Sequence, residues 1–155
     1  MKITQALLAE HVVFHNLFDH IERAAPRLRT LAEVRALSHL LGRLLAVHSK
    51  VEDVLLVEPL EPSLHQLGQH ENFHSEHAEI DRNLEGVQSA REAVPARHFL
   101  LRAVAVARRH FDKEERIVFP LAEKILSQKT LLALGKRWEA ERRDLCQNSL
   151  EMSPC

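Results

Sequence analysis

His48 and Glu52 are four residues apart, and so are His110 and Glu114. On a helix, residues i and i+4 project from one face, a turn apart. Each pair therefore offers an imidazole nitrogen and a carboxylate oxygen to the same point. That donor set, with no thiolate, suits iron, and by ligand type alone zinc or manganese as well. The pairs do not stand alone. Glu10-His11 precedes His48-x-x-x-Glu52-Asp53, and Glu76-His77 precedes His110-x-x-x-Glu114-Glu115. The offset between copies is 66 residues for the first His and 62 for the second. This reads as two copies of a helix hairpin related by a pseudo-two-fold axis. The symmetry predicts two equivalent sets, each of two His and one Glu, meeting at one point in the core. A chain with 11 His and no Tyr fits the same reading.

The elements that must position these residues are helices. Proline punctuation divides the chain into segments at about Ile3–Ala24, Thr30–Glu58 (ended by Pro59), Ser63 to before Pro95, Pro95–Leu126 (bent at Pro120) and Thr130–Leu145. Thr30 with Glu33 three residues on is a capping-box signature. Each of the first four segments has an apolar stripe at helical spacing with polar residues set into it. The first is Ile3, Leu7, His11, Phe14, Phe18, Ile21; the second is Leu37, Leu41, Leu44, His48, Glu52, Leu55. The third is Leu67, His70, His74, His77, Ile80, Leu84, Val87; the fourth is Phe99, Ala103, Val106, His110, Glu114, Ile117, Leu121. No strand alternation occurs. The expected fold is all-α: an antiparallel up-down-up-down four-helix bundle with an additional C-terminal helix. One domain covers residues 1–146, including the C-terminal helix at about 130–145, and residues 147–155 form a flexible tail. Leu131, Leu134 and Trp138 on that last helix are expected to pack across one end of the bundle, outside the four-helix core, and to offer a surface for a protein partner or a second copy.

Burying an uncompensated carboxylate costs several kcal/mol. The stripes hold no Lys or Arg to offset Glu52 and Glu114, whereas a bound metal pair would compensate both. A metal-free polar core is the alternative. The expected ligands are His11, His48, Glu52, His77, His110 and Glu114. His15, one turn after His11, and His74, one turn before His77, are secondary candidates for touching metal or ordering a ligand. His70 faces inward two turns from His77. His20 and His39 lie about half a turn off the stripes and are expected in solvent, and His65 and His98 receive no role.

Twenty-one Lys and Arg against 22 Asp and Glu give a net charge of −1. A nucleic-acid footprint would need a basic excess. No apolar run approaches the ~20 residues of a membrane span. Met1–Val13 does not read as a signal peptide, and Cys146 and Cys155 suit a cytoplasmic protein better than a disulfide scaffold.

At these residues the sequence resembles the hemerythrin-like, or HHE cation-binding, family. His110-Phe-Asp-Lys-Glu114-Glu115-Arg-Ile-Val-Phe119-Pro120 is similar to the family's H-x-x-x-E-E-x-x-x-F-P signature. The first copy, from His48 to Val57, is looser, with Val57 in place of the Phe and Glu58 in place of the Pro. Glu10-His11 and Glu76-His77 resemble the family's "EH" helices. The resemblance implies a non-haem di-iron centre, oxo- or hydroxo-bridged. His11, His48, His77 and His110 would be terminal ligands and Glu52 and Glu114 would bridge, leaving an open position for O₂, NO or peroxide. Oxygen-carrying members have a His where Phe73 stands and an Asp where Glu115 stands, which argues against reversible O₂ carriage. The four-His, two-Glu set is more similar to iron-sulfur-cluster repair proteins and iron-sensing members. The ferritin-like arrangement needs two Glu-x-x-His motifs, and only Glu71-Asn-Phe-His74 is present.

The resulting expectation is a cytoplasmic di-iron protein that binds or reacts with a small oxidant, in sensing, detoxification or iron and redox homeostasis. Two other roles remain open. One is a di-iron peroxidase or oxygen-activating enzyme, with His15, His74 or Glu115 as proton donor. The other is a regulatory module whose metal-dependent folding a partner reads.

Overall fold

The computed structural model describes residues 1–66 and 70–151, with side chains described for 1–66 and 75–143. All elements among them are helical. Helix α1 (Ile3–Ala24) ends in a 3-10 turn, Ala25–Arg27. Helix α2 (Leu31–Glu52) passes through a π turn, Asp53–Val57, into α3 (Glu58–Gln66). Then come α4 (His70–Ser89) and α5 (Ala93–Lys113), which runs through a second π turn, Glu114–Val118, into α6 (Phe119–Ile125). Helix α7 (Gln128–Glu151) comes last. Two of the junctions are continuous, so the described residues make five helical rods.

The start of α2 is the capping box expected from Thr30 and Glu33. The Thr30 hydroxyl accepts the Glu33 N–H at 3.2 Å, and the Glu33 carboxylate accepts the Thr30 N–H at 2.9 Å. Its end differs from expectation. The rod does not stop at Pro59 but runs on to Gln66, because the π turn comes first. There the Glu58 N–H bonds the Asp53 carbonyl, five residues back. Pro59 then falls in the first turn of α3, where a missing N–H is tolerated. The second copy does the same: the Phe119 N–H bonds the Glu114 carbonyl, and Pro120 falls in the first turn of α6.

The π turns also correct the stripes. One extra residue shifts the inward register of the downstream helix by one position, or about 100°. Val118 is therefore fully buried while the expected Ile117 is 38% exposed. Upstream of the π turn in α2, the stripe differs for a separate reason: Leu45, one turn after Leu41, is the inward residue, and Leu44 is exposed. The C-terminal helix is longer than expected at both ends, from Gln128 to Glu151 rather than about 130–145, so it overlaps the segment read as a tail. It is also not a free apolar face. Leu131 and Leu134 are buried with Ile3 and Leu7, and Trp138 packs against them. A Cβ on Gly135 would come within 2.1 Å of the Met1 carbonyl oxygen, so only glycine permits this approach of α7 to the start of α1.

Burial divides into two apolar clusters. One gathers Ile3, Leu7, Val51, Leu55, Leu56, Val118 and Phe119. The other gathers Phe14, Phe18, Leu41, Leu45, Ile80, Val104, Ala107 and Phe111. On α1, His11 lies between Leu7 of one cluster and Phe14 of the other. On α2, His48 lies between Leu45 and Val51, and Glu114 lies between Phe111 and Val118. The polar residues of the stripes thus form a layer between two apolar cores. No helix among the described residues is long and apolar enough to cross a membrane.

Candidate metal centre

Four rods supply the polar layer. Helix α1 carries Glu10 and His11, α2 carries His48 and Glu52, and α4 carries Glu76 and His77. Helix α5 carries His110, and the π turn after it opens with Glu114. His11, His48, Glu52, His110 and Glu114 are all at most 1% exposed, and His77 is half-buried. Their donor atoms converge in two groups of metal-binding dimensions: His11, His48 and Glu114, and Glu52, His77, His110 and Glu114. Glu114 belongs to both.

The imidazole Nε2 atoms face one another across this layer. His11 and His48 are 3.3 Å apart at Nε2, and His77 and His110 are 2.7 Å apart. His11 Nε2 is 3.1 Å from Glu114 Oε2, and His110 Nε2 contacts Glu114 Oε1. His48 Nε2 is 3.8 Å from Glu52 Oε2. The opposite ring nitrogens turn outward to carboxylates. His48 Nδ1 lies 2.6 Å from Glu10, His110 Nδ1 2.9 Å from Glu76, and His11 Nδ1 2.9 Å from Glu115. An ionised carboxylate only accepts. Each of these three rings therefore donates from Nδ1 and, when neutral, presents the Nε2 lone pair to the centre. Lone pairs facing each other and facing carboxylates repel unless a cation or a proton stands between them.

The carboxylates carry the same message. All four oxygens of Glu52 and Glu114 are buried without a hydrogen bond. Burial, the facing Glu114 and the adjacent Asp53 push the Glu52 carboxyl well above the usual range. Burial works against ionisation of Glu114 too, but His110 and His11 outweigh it and hold that carboxyl low. For His110, burial disfavours the imidazolium, yet Glu114 and Glu76 lift its pKa to about 9. Without metal, protons on these groups balance the buried charge, and a bound cation would displace them.

Of the outer carboxylates, Glu115 was expected only as a proton donor, and Glu10 and Glu76 were given no role from the sequence. Glu10 and Glu76 each serve the histidine of the neighbouring helix rather than the one beside them. The repeated "Glu-His" pair was the available signal for this. Glu10 is held by Arg142 and Trp138 of α7, and Glu76 by Lys113 of α5. Burial pushes both carboxyls upward, but His48 with Arg142, and His110 with Lys113, outweigh it and leave both lowered.

The remaining histidines separate cleanly. His15 Nε2 is 3.4 Å from Glu115, outside both groups of converging donors. His20, His39, His65 and His98 are exposed. The side chains of His70 and His74, like those of Leu67, Cys146 and Cys155, lie outside the described residues.

Among the described residues, phenylalanines surround the His11 and His48 rings, and a cleft borders His77. Phe111 stacks on His11 at 3.9 Å between centroids, Phe119 stands 5.3 Å from the same ring, and Phe14 meets the His48 ring edge-on at 5.2 Å. His77 instead lines a cleft of about 530 Å³ between α2 and α4, with Ser49, Lys50, Asp53 and Asp81 among its walls.

Against this geometry stand three comparisons. A family model described as the Hemerythrin HHE cation binding domain matches residues 2–122. That span includes every converging residue and leaves α7 beyond it. Comparisons with curated proteins and with solved structures return no match.

Proposed function

The chain belongs to the hemerythrin HHE cation-binding family, and from that premise we propose that the layer between its two apolar cores holds a pair of iron ions. His11, His48, His77, His110, Glu52 and Glu114 would hold them, with Glu114 common to both groups of donors. The observation that carries this reading is the set of four hydrogen-bond-free carboxylate oxygens facing imidazole nitrogens in a buried layer. A bound cation would relieve all of them at once, displacing the protons that otherwise balance them. Zinc or manganese would meet the same donors, and the all-nitrogen-and-oxygen set with family membership favours iron.

Its function is to bind or react with a small oxidant, namely O₂, NO or peroxide, in sensing, detoxification or redox homeostasis. An iron pair supplies open coordination positions and electron transfer to such a molecule. The chain's own residues supply the setting. Phe14, Phe111 and Phe119 exclude water around His11 and His48. Glu10, Glu76 and Glu115 fix three rings by their Nδ1–H groups. The cleft beside His77 is the route by which a small molecule arrives. A catalytic variant of this reading draws on Glu115 and His15, which together connect His11 Nδ1 to a part-exposed surface and could deliver protons.

Elemental analysis of the purified protein for Fe, Zn and Mn, followed by exposure of the reduced protein to NO, tests the proposal. Close to two irons per chain and a new iron–nitrosyl absorption are expected. One metal or none after anaerobic reconstitution with ferrous iron sinks the dinuclear assignment, and two irons inert to NO, O₂ and peroxide sink the oxidant chemistry.

A further inference from the structure

Helix α7 reaches the buried layer through a single carboxylate. Glu10 Oε2 meets His48 Nδ1 at 2.6 Å. The other oxygen, Oε1, is held entirely from α7. Arg142 donates to it from Nε at 2.7 Å and Trp138 from Nε1 at 3.1 Å, and the Arg142 Nη2 lies 2.6 Å away in the same ion pair. The guanidinium also lies 5.7 Å from the Trp138 ring centroid and reaches the Val47 carbonyl, one residue before His48, at 3.5 Å. Leu131, Leu134, Gly135, Trp138 and Arg142 share one face of the helix. The first two are buried in a core cluster, and Gly135 sits against the Met1 carbonyl. The face that packs is therefore the face that delivers the two donors, and α7 cannot shift without moving Glu10.

We propose that Arg142 and Trp138 are positioning residues for His48, acting through Glu10. With Oε1 held by two donors and the guanidinium charge, the carboxylate presents Oε2 in one direction. That direction holds His48 as its Nδ1–H tautomer with Nε2 turned to the cluster. The neighbouring half achieves the same for His110 with Lys113 on its own helix, so the device is particular to the first half. The inference rests on the metal reading only for what His48 ligates.

Two readouts test it. In the metal-free protein, ¹⁵N-histidine spectra report the His48 tautomer directly. Wild type is expected to show the Nδ1–H form, Arg142→Gln a mixture, and Arg142→Lys the Nδ1–H form again. In the second, Zn²⁺ titrations are followed by emission of Trp138, the chain's one Trp in a sequence without Tyr. Arg142→Gln is expected to weaken Zn²⁺ binding about 10- to 100-fold. Trp138→Phe, titrated by competition with a chromophoric chelator, is expected to weaken it about threefold. Arg143→Gln, an exposed neighbour that bonds its own helix at Glu139, is expected to change neither readout. An unchanged tautomer and Zn²⁺ affinity in Arg142→Gln overturn the inference. So does a loss that tracks lost helicity and that Arg142→Lys fails to restore. A wild-type protein that binds no metal overturns the metal reading instead, and the tautomer comparison still decides the role of Arg142.

Discussion

Helices α1 and α2 on one side, and α4 and α5 on the other, build the same half-site. In each, the acid preceding the first histidine crosses over to the Nδ1 of the second: Glu10 to His48 and Glu76 to His110. In each, the second histidine is followed by a glutamate four residues on and by a π turn. The halves differ in what surrounds this shared plan. The first is enclosed by phenylalanines and tied down by α7. The second is steadied by a lysine of its own hairpin and opens on a cleft at His77. What recurs is a carboxylate that orients the second imidazole of each hairpin. How that carboxylate is held is free to differ.

The largest effect that would break this picture comes from the carboxylate the halves share. Glu114 belongs to both groups of converging donors and Glu52 to one. Glu114→Ala is expected to lose both metals and Glu52→Ala to retain no more than one, by metal counting after gel filtration. Two metals in either variant would remove the bridging assignment. Next is Phe111→Ala. This ring is 1% exposed and stacks on His11, so its loss should cost about 3–5 kcal/mol in chemical denaturation. It should also speed metal loss from the closed half first; a variant as stable as wild type would mean the aromatic wall is dispensable. A smaller effect separates the outer acids. Glu10→Gln and Glu76→Gln should each weaken metal binding about 10- to 100-fold. Only Glu10→Gln should alter the emission of Trp138, because only Glu10 touches it. Equal emission changes in the two variants would mean that α7 senses both halves. The smallest effect is at His39, exposed on α2. His39→Ala should leave metal content unchanged, and a loss there would mean that the helix faces are misassigned.

The sequence made the cluster legible because helical spacing is a strong constraint. Residues four apart share a face, and two His-x-x-x-Glu pairs with two further mid-stripe histidines had few ways to avoid meeting. The structure brings all six of these residues together. The helix class came from the same periodicity. What spacing could not reveal was any departure from uniform winding. Pro59 read as a stop and Ile117 as an inward residue because a constant 3.6-residue turn was assumed, and both readings fail at the π turns. Glu10, Glu76 and Arg142 were missed for another reason. Their partners lie on other helices, and residue type alone does not say where a long charged side chain reaches. Trp138 was expected to pack at one end of the bundle, but nothing in the sequence tied it to the polar layer. Its indole serves an acid 128 residues away in the chain.

The π turns bear on how these helices tolerate changes in chain length. Removing one residue from a regular helix turns everything beyond it by about 100°, and an apolar stripe then faces water. In Asp53–Val57 and Glu114–Val118 each turn already carries one residue in excess. A single deletion there converts the turn to ordinary α-helix and leaves the phase of α3 or α6 as it was. These are the places in the two long rods where the chain can be shortened with the downstream core still in register. The damage from such a deletion would fall on the site while the bundle kept its packing.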